Sequence, residues 1–136
     1  MQKQFTNYQL EGLLKLTAYK QRFKGNERVI AVTKTKKPAP ALINAYEEFM
    51  EVFCGHDLAD TDYAFIKTNA AEHEPMEDWI NQLSMESILK NITYIIWTDR
   101  IVQGYFALRI EDNTVFFLLD RLEKILRTKW EILSPF

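Results

Sequence analysis

The chain has 136 residues, 47% hydrophobic, 13% aromatic and 26% charged, a globular composition that excludes a disordered or collagen-like protein. Four Gly and four Pro are too few for a linker-built or low-complexity chain. Net charge is −2, so no overall basic or acidic excess points to a partner.

The first helix is signalled by Thr6 and Gln9, which have capping-box spacing, with Phe5 and Leu10 at staple positions. Leu10, Leu13, Leu14, Thr17 and Ala18 follow at helical spacing as its apolar face, and Gly25 is suited to end the element. Val29 to Val32 reads as a brief strand or extended chain. Lys34 to Pro40 reads as a loop, because proline removes a donor and disfavours helix just before it.

Pro40 suits the first turn of a second helix. Its apolar stripe is Leu42, Ile43, Tyr46, Phe49, Met50 and Phe53, with Glu47, Glu48 and Glu51 opposite and Gly55 closing it. A further element is expected from Asp60–Asp62, carrying Tyr63, Phe65 and Ile66. Pro75 then opens a short piece with Trp79, Ile80 and Leu83. Ser84 is an N-cap for a longer helix with Glu86 in its first turn and Met85, Ile88, Leu89, Ile92, Ile95 and Ile96 as its buried face. The last helix follows Asn113-Thr114, with Val115, Leu118, Leu119, Leu122, Ile125 and Leu126 inward. Asp120–Lys124 and Glu123–Arg127 are i,i+4 pairs on its surface.

Residues 92–98, 101–110 and 114–119 also fit three strands, on their aromatic and β-branched content. The helical period persists over more than three turns at 85–96 and 115–126, and length arbitrates for helix. The predicted fold is therefore mainly α: one domain over 1–136, with five or six helices. The alternative is α+β, with a small antiparallel sheet in 92–119.

Residues 84–126 resemble a bacterial family of uncharacterised proteins, a domain of unknown function. The resemblance rests on an acid-Arg pair, Asp99-Arg100, then Gly104, a short helix from Tyr105 to Ile110, a turn at Glu111-Asp112-Asn113, and Leu119-Asp120-Arg121-Leu122. It departs from the pattern at Trp97, where the family has Arg, at Ile101, where it has Phe, and at Asn113, where it has Gly. The resemblance implies a mostly helical fold and no activity.

Charge is segregated along the chain. Residues 1–40 carry nine Lys or Arg and two acids, residues 41–87 eleven acids and one base, and residues 88–136 are nearly balanced. Lys20, Arg22, Lys24, Arg28, Lys34, Lys36 and Lys37 form a candidate basic patch, through which nucleic acid could bind. The competing reading is that the basic and acidic segments face each other.

Asp99, Arg100, Gln103 and Arg121 are the candidate anion or ligand site. They would converge if the helices bearing Ile96 and Leu122 pack together, and paired Arg side chains beside a carboxylate suit bidentate anion binding. A structural ion pair at a helix turn is the competing account. Cys54, His56, Asp57, Asp60 and His73 include zinc-ligand types, but match no established spacing, so no metal or other cofactor is expected. No nucleophile elbow or glycine-rich phosphate loop is present, and no catalytic residue is assigned. Tyr105-Phe106, Phe116-Phe117 and the tail from Trp130 to Phe136 are either core fillers or a contact surface.

The apolar runs Ile95-Ile96-Trp97 and Val115 to Leu119 are too short to span a bilayer, and the first residues lack an apolar signal core. A single cysteine, Cys54, excludes an internal disulfide and suits a reducing compartment. The expectation is a cytoplasmic, non-enzymatic interaction module, partnered by another protein or by itself, without membrane association.

Overall fold

A computed structural model describes residues 5–23, 40–59 and 76–133. Among them are α1 (Asn7–Thr17), α2 (Pro40–Gly55), α3 (Met76–Ile80), α4 (Met85–Ile101), α5 (Tyr105–Glu111) and α6 (Thr114–Leu133), and no strand. The fold is mainly α, and the alternative sheet in 92–119 is overturned. Those residues lie in α4, α5 and α6, because the helical apolar period outweighs their β-rich composition. The strand expected at 29–32, the loop at 34–40 up to Pro40, the element at 60–66 and Gly25 lie outside the described residues.

The capping box at α1 forms as its spacing requires. Thr6 Oγ1 accepts the Gln9 N–H at 3.1 Å, and Gln9 Oε1 accepts the Thr6 N–H at 2.9 Å. The buried face of α1 differs from the expected stripe. It is Gln9, Gly12, Leu13 and Leu16, while Leu14 is exposed. The reason lies in what α1 packs against: the end of α2 brings the His56 side chain onto Gly12 and the Asp57 carbonyl to the Gln9 amide. The buried face is therefore rotated by one position from the apolar stripe.

α2 presents Phe49 and Phe53 inward, with Glu47, Glu48 and Glu51 exposed. Its end is a Schellman arrangement: Leu58 N–H reaches Phe53 O at 3.1 Å and Asp57 N–H reaches Cys54 O at 3.3 Å. The left-handed residue is Asp57, at φ 55°, and not Gly55, the last helical residue. Leu58 then packs into the core beside Phe53.

α4 begins at the Ser84 cap, whose Oγ accepts the Ser87 N–H at 3.2 Å, and its six expected core residues are all buried. Asn113, at φ 66°, makes the turn from α5 to α6 in the left-handed region that asparagine tolerates. α6 packs on α1, α3, α4 and α5, and its Val115, Leu118, Leu119 and Leu122 are at most 1% exposed. The core runs from this stripe into an aromatic cluster. There Phe23 meets Phe49 at 5.2 Å and Phe106 at 5.4 Å, both edge to face. Among the described residues, no helix is long and apolar enough to cross a membrane.

Candidate functional site

Asp99 stands in the last turn of α4. The chain leaves that helix through Val102 in extended conformation and reverses at Gly104, whose φ of 90° only glycine adopts readily. Gly104 is the N-cap of α5 and has no side chain to cap it. Asp99 fills that role: its Oδ1 accepts the Phe106 N–H at 3.0 Å. The Tyr46 phenol also lies beside Asp99. Burial first, and then the Asp99 charge, push the Tyr46 phenol well above its ordinary range. Asp99 thus joins α2, α4 and α5.

The other three candidate residues are placed differently. Arg100 is exposed, with its guanidinium 4.2 Å from the Trp97 ring centroid. Gln103 is exposed in the reversal. Arg121 Nε donates to the Leu83 carbonyl at 3.1 Å, just before the N-cap of α4. Leu83 and Asp99 flank nearly the whole of α4, so Arg121 and Asp99 are held on the order of 20 Å apart. The expected convergence of Asp99, Arg100, Gln103 and Arg121 does not occur, although α4 and α6 do pack together. Their contact places opposite ends of α4 beside the two groups.

Two members of the basic patch are described, and both are engaged within the chain. Lys20 Nζ lies 3.2 Å from both Asp120 and Glu123, with its side chain only 16% exposed. Burial alone would lower the Lys20 pKa, but Glu123 and Asp120 outweigh it and raise it. Asp120 is held below its ordinary value, since Lys124 and Lys20 outweigh its burial. Arg22 pairs with Glu48 at 2.8 Å and lies 5.3 Å from the Tyr19 ring centroid. This links the basic and acidic segments directly. Lys24, Arg28, Lys34, Lys36 and Lys37 lie outside the described residues. An open groove of about 320 Å³ runs beside Arg22, lined also by Lys15, Ala18, Tyr19 and Val52.

The Cys54–His56 region is built for packing. Cys54 is exposed, whereas His56 is 8% exposed, with Nδ1 at 3.0 Å from Val52 O and its ring stacked on Tyr8 at 4.4 Å. Gln9 Nε2 donates to Asp57 O at 2.9 Å, and the Tyr8 hydroxyl to Gly55 O at 2.7 Å. Asp60 and His73 lie outside the described residues. Among those described, no group of three or more His, Cys, Asp or Glu could hold a metal ion.

One surface feature was missed in the sequence. Ile101, Val102 and Leu108 are 87%, 51% and 49% exposed at the α4–α5 corner, a concentration of bare aliphatic surface within eight residues of chain. Of the aromatic pairs, Phe106 is buried, Tyr105 and Phe117 are half-buried against the core, and Phe116 is half-buried. The side chains of the tail from Trp130 lie outside the described residues. The signal for the corner was the run Ile101-Val102 just ahead of Gly104, off both helical stripes. Comparison with known proteins finds no matching family model, no curated relative and no matching solved structure.

Proposed function

We propose that the protein is an interaction module without chemistry of its own, which holds another macromolecule at the α4–α5 corner. The observation that carries this reading is the exposure of Ile101, Val102 and Leu108 together. Apolar side chains bared in one place lose free energy to water and recover it on a partner, at roughly 25 cal/mol per Å². Supporting it, Asp99 and Arg121, the polar groups best suited to ligand chemistry, are engaged in holding helix ends. A reducing compartment fits the free, exposed Cys54.

The test places a photo-crosslinking amino acid at Val102, with Lys124 on the exposed side of α6 as control. We expect a discrete macromolecular adduct from 102, absent from 124 and lost in Ile101→Asp. Equal adducts from both positions, or none from 102 in cells that express the protein natively, would sink the reading.

A further inference from the structure

Arg100 stands apart from the other described cations. The other described Lys and Arg side chains each meet a carboxylate, apart from Arg121, which meets the Leu83 carbonyl. Arg100 meets the face of Trp97 and is exposed next to Ile101, the barest aliphatic side chain of the corner. The neighbouring carboxylate, Asp99, accepts the Phe106 N–H. The corner therefore combines exposed aliphatic side chains with a cation that is held by a ring and meets no carboxylate among the described residues.

Size narrows the choice of partner. Three aliphatic side chains expose on the order of a few hundred Å², whereas a stable protein dimer buries roughly 800 Å² on each partner. A short segment that sets two or three large apolar anchors into such a patch needs no more than this. The charge adjoining Ile101 selects an acid at that end of the segment, while the exposed Glu111, one turn beyond Leu108, bounds the other end.

We infer that the α4–α5 corner receives an acidic amphipathic segment of another protein, its apolar face on Ile101, Val102 and Leu108 and a carboxylate on Arg100. This rests on the reading of the corner as the binding surface. The Arg100 guanidinium, planar and partly desolvated by Trp97, suits a bidentate carboxylate contact better than a lysine would.

The test uses the full chain and two fluorescent helical peptides of about 18 residues, sharing a Leu/Phe face but flanked by Glu in one and Lys in the other. Anisotropy titrations should favour the Glu peptide by about three- to fivefold, the range of an exposed ion pair. Arg100→Gln should remove that preference and Arg100→Glu reverse it. Ile101→Asp should weaken both peptides at least about tenfold. Circular dichroism should show all three variants folded. Equal binding of the two peptides, both lost in Ile101→Asp, overturns the acidic partner and leaves the interaction module standing. Binding of neither peptide also overturns the inference, while crosslinking at 102 decides the module separately. Sedimentation showing self-association that Ile101→Asp abolishes assigns the corner to a second copy, which overturns the inference as well.

Discussion

The Asp99 carboxylate accepts the backbone N–H of Phe106 at 3.0 Å across a chain reversal that has no cap of its own. The relationship explains why an acid stands five residues ahead of Gly104. Glycine is needed there for the left-handed turn, and it brings no capping oxygen. An acid in the last turn of α4 provides that oxygen from outside the reversal.

Replacing Asp99 with Ala should cost about 1 kcal/mol, from the lost cap. Asp99→Asn keeps a neutral acceptor and should cost about half as much. Urea denaturation of the three proteins measures both. A loss below about 0.3 kcal/mol for Ala would mean that water caps α5 equally well.

Gly12 tests the docking of α1. A Cβ built there falls 2.4 Å from His56 Cβ. On an open helix surface Gly→Ala stabilises by about 1 kcal/mol. Here overpacking should reverse the sign and destabilise by about 1–3 kcal/mol, with His56 displaced from Tyr8. Thermal melts give the sign, and a stabilised Gly12→Ala would show that α1 lifts away from α2 at little cost.

The Lys20–Asp120 contact predicts stability loss at both ends of the pH scale. Asp120 is held below its ordinary 3.8, so its contribution is present above that value and is lost as pH falls through the depressed one. Lys20 is raised above its ordinary 10.5, so its contribution is present below that value and is lost as pH rises through the raised one. Lys20→Met should therefore flatten the alkaline fall in stability above pH 10.5 and weaken the acid fall. Unchanged slopes would mean that other groups govern both limbs.

The long helices were legible because Ile88, Leu89, Ile92, Ile95 and Ile96 in α4, and Val115 to Leu122 in α6, repeat an apolar period longer than any strand. The Thr6–Gln9 box was legible because it is local. The face of α1 was not, since burying Gly12 and Gln9 depends on the end of α2, some 45 residues away in sequence. The separation of Arg121 from Asp99 was hidden for a related reason. Packing between α4 and α6 was anticipated, but sequence does not say which end of α4 lies beside Arg121. Exposure at Ile101 and Val102 was hidden because apolar residues next to a helix end resemble core residues until the direction of the reversal is known.

That separation yields a last prediction. Arg121→Met removes the hydrogen bond to Leu83 O and should cost about 1–2 kcal/mol. Arg100→Gln alters an exposed side chain and should stay within about 0.5 kcal/mol of wild type. With no shared partner and a wide separation, the double variant should equal the sum to within about 0.5 kcal/mol. The two variants should also differ in binding: Arg100→Gln changes the preference between Glu and Lys peptides, and Arg121→Met does not. A coupling above about 1 kcal/mol, or loss of the preference in Arg121→Met, would mean that the two arginines share a site after all.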